Sequence, residues 1–133
     1  MEKTLFIIKP DAVAKKKIGK IISIIEESGI EILAMKMTKL TVSEAEEFYK
    51  EHKGKDFFQR LIEFMISGPI VVMVLSGENI IHRVRDIIGD TDPRKAKEGT
   101  IRKLFGEDLP RNAVHASDSI ASSQREIGFF FNI

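Results

Sequence analysis

Ile70-Val71-Val72-Met73-Val74-Leu75 is six consecutive apolar residues, half of them valine. The run has strand length, lacks the polar breaks of an amphipathic helix, and reads as a strand at the centre of a sheet. Ser67-Gly68-Pro69 stops whatever precedes it. Upstream, Phe57, Leu61, Phe64 and Met65 recur at helical spacing and predict a helix over 57–66. Lys53-Gly54-Lys55 is a turn, and before it a second helix runs from Thr41 to about His52. Its start is marked by Thr41 and Glu44, the spacing of a capping box. Further back, Ile30 to Thr38 alternates as a half-exposed strand. Ile18, Ile21, Ile22 and Ile25 predict a helix closed by Ser28-Gly29. Leu5-Phe6-Ile7-Ile8, ended by Lys9-Pro10, is a buried strand.

Downstream, residues 78–88 form a helix that ends at Gly89. From Asp90 to Arg111 no period holds, and one helical turn near Ile101 is expected. Ala113-Val114 is a short strand, and Ser117 or Asp118 caps a last helix. The order is β-α-β-α-α-β-α-loop-β-α, with four strands and about five helices. That is an α/β sandwich, and order alone leaves a doubly wound parallel sheet and a ferredoxin-like antiparallel sheet both open.

A length of 133 residues fits one domain, 1–133. The chain has no cysteine, which excludes disulfides, a thiolate nucleophile and cysteine-based metal sites. Its apolar runs are too short for a membrane span or a signal peptide, and a cytoplasmic location is expected. The net charge is +1, so attraction for an anion must come from local clustering. Such a cluster exists: seven cationic residues lie from Arg85 to Arg111, with Thr91 and Thr100 among them. Guanidinium forks suit phosphate oxygens. No glycine-rich phosphate loop is present, so phosphates would be held by side chains.

Of three histidines, His52 and His82 fall on helices and are expected at the solvent-exposed surface. His115 follows a short strand and precedes Ala116-Ser117-Asp118-Ser119. An imidazole there can act as a nucleophile near neutral pH, or it can be a satisfied structural residue. No histidine pair has the spacing of a metal ligand set.

Asn112-Ala113-Val114-His115-Ala116-Ser117-Asp118 matches N-x-x-H-[GA]-S-D, the signature of nucleoside diphosphate kinases. Phe6 to Val13, Phe64-Met65-Ile66-Ser67-Gly68-Pro69 and Gly99-Thr100-Ile101-Arg102 resemble three further family segments in the right order. The resemblance covers nearly the whole chain. It implies a ferredoxin-like four-stranded antiparallel sheet covered by helices. A helical hairpin carrying Tyr49 and Phe57 is inserted, and a long irregular loop precedes the last strand.

The implied activity moves the γ-phosphate of ATP or another nucleoside triphosphate to a nucleoside diphosphate through a phosphohistidine. The resemblance makes His115 the nucleophile, Glu126 the carboxylate that orients it, and Ser117 the hydroxyl that holds that carboxylate. It puts Lys9 and Tyr49 beside the transferred phosphate, and Lys9 with Asn112 at the ribose 3′-hydroxyl. Arg85 and Thr91 would meet the inner phosphates, Arg102 the γ-phosphate, and Phe57 the base. Mg²⁺ would ride on the phosphates and reach Asp118 through water. A homo-oligomer, hexamer or tetramer, is implied; no specific nucleic acid or membrane partner is expected. The competing reading is a non-catalytic nucleotide- or nucleic-acid-binding module on the same fold. The chain departs from the pattern at Asp56 and at Lys97-Glu98, where relatives often carry proline. It runs five residues past Gly128, whereas longer relatives use a C-terminal extension in subunit contacts.

Overall fold

The computed structural model describes residues 2–132. Four strands, β1 (Glu2–Ile8), β2 (Glu31–Thr38), β3 (Ile70–Gly77) and β4 (Val114–Ala116), form one sheet in the order β2-β3-β1-β4. Every neighbouring pair is antiparallel. That order and the antiparallel pairing are ferredoxin-like, and the doubly wound alternative falls away. The Ile70 run lies in β3, between β2 and β1, and all six of its residues are buried.

Both faces of the sheet are covered. On one face Phe6, Ile8, Val71, Met73 and Leu75 pack under α2 (Ile18–Glu27), α5 (Ile80–Ile88) and α6 (Ile101–Phe105). On the other, Leu5, Ile7, Val72 and Val74 meet α3 (Val42–Phe48), α4 (Phe58–Met65) and α7 (Ile120–Phe130). The strict alternation of β1 and β3 between two cores explains why both strands read as unbroken apolar runs. β4 pairs with β1 so that His115 stands opposite Ile7. The period of two then turns His115 toward the second core, while Val114 and Ala116 enter the first.

Several local expectations change. A short helix, α1 (Pro10–Ala14), follows β1 directly, with Pro10 at its first position, where the missing N–H costs nothing. With α1 and α6 the described residues hold seven α-helices, more than the five expected. The Thr41–Glu44 capping box is present, but α3 stops at Phe48 and a 3₁₀ turn, Lys50–His52, continues it. Neither Ser117 nor Asp118 caps α7; Ser119 does, accepting from Ser122 N–H at 3.0 Å. Ala113 is not strand. It has a left-handed backbone, φ 73°, inside a tight turn closed by Val114 N–H on Asn112 O at 2.9 Å.

That turn is held from both sides. Asp11 Oδ2 accepts Ala113 N–H at 3.0 Å, and Lys9 N–H donates to Ala113 O at 2.9 Å. The first turn after β1 thereby fixes the approach to His115, about a hundred residues later in the chain. Gly89 ends α5 with φ 87°; a Cβ there would lie 2.6 Å from Thr100 Oγ1, so only glycine lets the long loop dock on the helix.

Candidate active site

A cavity of about 710 Å³ opens at the end of the sheet where β4 meets β1. Its walls come from four places: the Lys9 corner, the α3–α4 hairpin, the long loop with Arg85 at its edge, and α7. His115 sits between them, its side chain 21% exposed beside a Glu126 carboxylate 7% exposed. That difference leaves the imidazole reachable and the acid shielded.

His115 Nε2 lies 2.9 Å from Glu126 Oε1. Ser117 Oγ donates to the same oxygen at 2.8 Å and accepts Leu5 N–H at 3.1 Å. Since a carboxylate only accepts, Nε2 is the donor in this bond, and in the neutral imidazole the lone pair is then on Nδ1. Nδ1 makes no hydrogen bond to the described residues. The Phe48 ring packs edge-on against the imidazole at 5.6 Å, and Tyr49 at 6.5 Å. The ring is therefore held by a hydrogen bond on one nitrogen and by aromatic walls, with the other nitrogen open.

Cations gather around it. Lys9 is buried, and its Nζ donates to Asn112 Oδ1 at 2.8 Å. Burial pulls its pKa down to about 8, Arg102's charge adds to the shift, and Asp11 opposes it. Asn112 Nδ2 in turn donates to Thr91 O at 3.0 Å, tying the loop to the Lys9 corner. Arg102 donates to Gly89 O at 3.1 Å and to Val114 O at 3.0 Å. Its burial, with Arg85's charge, brings its pKa down to about 10, against the pull of Asp90. Arg85 stays exposed at the rim and donates to Ala116 O at 3.4 Å.

Two buried polar atoms in this wall have no hydrogen-bond partner among the described residues: Tyr49 Oη and Arg102 Nε. Orphaned buried donors are uncommon in folded proteins, and two in one cavity wall are free to donate to a group that enters it. Burial and the Glu126 charge push the Tyr49 phenol well above its ordinary pKa, so it stays a neutral donor.

At the mouth, Phe57 is 43% exposed, a large apolar ring lining the cavity, with the Lys55 ammonium 5.8 Å from its centroid. His52 is not the solvent-exposed helix residue that its sequence context suggested. It is half-buried in the cavity wall, stacked on Tyr49 at 6.4 Å and tilted against Phe57 at 5.3 Å. His82 is exposed and paired with Asp86 at 3.2 Å. Of the seven cationic residues, Arg85 and Arg102 line the cavity. Arg94 is spent on Asp92, at 3.0 Å, and Arg111 on Asp108 and Glu107.

No group of three or more His, Cys, Asp or Glu side chains among the described residues could hold a metal ion. Asp118 is exposed on the cavity wall. Hydrogen bonding from Ser122, and Arg85's charge, hold its carboxyl below the usual range despite some burial. An ionised, exposed single carboxylate fits a hydrated divalent ion brought in on phosphates better than a protein-bound one.

A sequence model of one protein family, nucleoside diphosphate kinase, matches residues 2–133. A nucleoside diphosphate kinase of Chlamydia trachomatis serovar D is 57% identical over 131 residues, 98% of this chain and 93% of its own. Among solved structures, the nucleoside diphosphate kinase of Aquifex aeolicus superposes with a TM-score of 0.96. It is 50% identical and covers 98% of this chain and 95% of its own. A halophilic nucleoside diphosphate kinase from Halobacterium salinarum, solved in complex with CDP, has a TM-score of 0.96 and 37% identity. That match covers 99% of this chain and 88% of the other.

Proposed function

The chain belongs to the nucleoside diphosphate kinase family, and from that premise we propose that His115 Nδ1 carries the phosphate between nucleotides. The chain moves the terminal phosphate of a nucleoside triphosphate to a nucleoside diphosphate. The observation that carries the assignment to His115 is the fixed tautomer: Nε2–H is committed to Glu126 Oε1 at 2.9 Å, leaving Nδ1 as the nucleophile.

The reaction runs as two in-line displacements at one atom. Nδ1 attacks the γ-phosphorus, the bond to the bridging oxygen breaks, and the nucleoside diphosphate leaves. A second diphosphate then takes the phosphoryl group by the reverse path. As Nδ1 bonds to phosphorus, the ring gains positive charge, and the shielded Glu126 carboxylate stabilises it through Nε2–H. Ser117 keeps that carboxylate in place from behind.

Charge on the equatorial oxygens must be met without delay, and preorganised donors do that best. Arg102 Nε and Tyr49 Oη are buried with no hydrogen-bond partner among the described residues and serve this role, with Lys9 beside them. Lys9 and Asn112, 2.8 Å apart, form the pair for the ribose 3′-hydroxyl. Arg85 and Thr91 at the loop edge take the inner phosphates. Phe57 supplies a stacking face and no edge contacts, so any base is accepted. Kinases of this family need a divalent metal; bound on the nucleotide, Mg²⁺ would offset phosphate charge, with Asp118 as the carboxylate for its hydration shell. Among the described residues no helix is long and apolar enough to cross a membrane; the cytoplasmic location is carried by the family resemblance alone. We take residues 1–133 as one domain, since the cavity walls come from a single sheet, its helices and the loops that join them.

Self-association is favoured by a separate observation. β2 is an edge strand, and Leu33, Met35 and Met37 on it are each 44–56% exposed. An unpaired apolar edge is a pairing surface, and a second copy of the chain is the simplest cover in a homo-oligomer. The direct test of function is transfer from ATP to a second nucleoside diphosphate, followed in a coupled assay. Turnover with several diphosphates supports the reading. No turnover with intact ATP binding would return the protein to the class of binding modules.

A further inference from the structure

Arg125 lies on α7 immediately before Glu126 and lines the same cavity. Its guanidinium reaches three partners. Nη2 pairs with Glu51 Oε1 on the 3₁₀ turn and stands 3.6 Å from Glu126 Oε2, while Nη1 donates to Phe48 O at 3.4 Å.

The arrangement answers a question left by the catalytic pair. Glu126 Oε1 takes both directed bonds, from His115 and Ser117. Oε2 takes none from the described residues. A carboxylate's terminal torsion is broad and nearly two-fold, so contacts at one oxygen alone leave its plane free to swing. The nearest cation to Oε2 is Arg125, at ion-pair distance and too long for a hydrogen bond. Glu126 is 7% exposed, so this charge contact is weakly screened; the partner at Glu51 is 59% exposed and contributes little energy by itself. What Glu51 and Phe48 O do is hold the guanidinium at the acid, from the hairpin that carries Tyr49 and Phe57.

We infer that Arg125 is a positioning residue for phosphoryl transfer: anchored by Glu51 and Phe48 O, it fixes the plane of the Glu126 carboxylate and so aims His115. The inference rests on the reading of His115 and Glu126 given above. It assigns Arg125 no contact with substrate. It also joins the acid behind the nucleophile to the wall that receives the nucleotide, so a displaced rim would be felt at the imidazole.

The test uses the full chain and single-turnover quench with ATP, to read phosphohistidine formation, beside ADP affinity by calorimetry. Arg125→Gln is expected to slow phosphohistidine formation by about tenfold, since small misplacements of a reacting group are costly. ADP affinity should move by less than about threefold, because Phe48 and Tyr49 remain anchored in the core. Arg125→Lys, which keeps the charge but not the fork, should recover part of the loss. In a Glu126→Gln background the Arg125 substitution should have no further effect, because the two act on one group. Glu51→Gln, at an exposed site that cannot unfold the chain, should slow transfer about threefold. Wild-type rates in Arg125→Gln or in Glu51→Gln would overturn the inference, as would a loss that adds in full to that of Glu126→Gln. Either result leaves the base reading intact if Glu126→Gln itself is slow. If His115→Ala still forms the phosphoenzyme, the base reading is the one that fails.

Discussion

Glu126 lies eleven residues after His115, on a different element, and its Oε1 is 2.9 Å from the histidine's Nε2. A strand end and a helix bring the two together, and the same oxygen is gripped by Ser117 at 2.8 Å. Replacing Glu126 by Gln keeps shape but lets the amide donate, which favours the wrong tautomer. The rate of His115 phosphorylation should fall by on the order of a hundredfold. Nucleotide affinity should hold, because Glu126 faces the imidazole and not the nucleotide. Rapid quench and equilibrium binding on the same variant separate the two.

Lys9 predicts a proton signature. Its pKa in the free protein is pulled to about 8, from 10.5, mainly by burial. A phosphate favours the charged form, so nucleotide binding near pH 8 should take up about half a proton. Affinity should weaken as pH rises through that value. The sign for folding is opposite: between about 8 and 10.5 the unfolded chain holds more protons at this site, so the free protein gains stability as pH rises. Calorimetry in buffers of different ionisation enthalpy measures the uptake. Lys9→Met should abolish it, and an unchanged uptake would put the titrating group elsewhere.

Gly89 and Gly99 both have φ 87°, but they differ in space. A Cβ at Gly89 would meet Thr100 Oγ1 at 2.6 Å, whereas at Gly99 nothing lies within 4 Å. Gly99→Ala should cost about 1 kcal/mol, the left-handed strain alone. Gly89→Ala should cost about 2 kcal/mol or more, because the loop must also move. Because Gly89 O holds Arg102 at 3.1 Å, activity should fall with it. Denaturant melts of the two variants compare them directly; equal losses would show that the loop has room.

The β2 edge makes a prediction about assembly. Met35 and Met37 are 53% and 56% exposed and lie on one side of the strand. Met35→Glu should leave the monomer's fold intact and shift sedimentation toward smaller species. An unchanged oligomer would move the interface away from β2.

The sequence exposed the parts of this structure that obey short periods. β1 and β3 are apolar on both faces, so their runs are unbroken, and α2, α4 and α5 carry one apolar stripe each. The capping box at Thr41 was legible because its signal is two residues at fixed spacing. α1 was not, being only five residues that begin with a proline. The Ala113 turn gave no signal at all, since alanine has no preference for φ 73°; Asp11, about a hundred residues upstream, imposes it. His52 illustrates the same limit: helix position suggested solvent, and the fold of the hairpin turned it into the cavity beside Tyr49. Motif resemblance supplied the pairing of His115 with Glu126, which spacing could not.

The decisive measurement is phosphate labelling at His115. Incubated with γ-labelled ATP, the protein should take up one acid-labile, alkali-stable phosphate on His115, and any nucleoside diphosphate should discharge it. In His115→Ala the label should be absent. The same label on His115→Ala, or a phosphate that nucleoside diphosphates do not remove, would contradict a relay through this histidine.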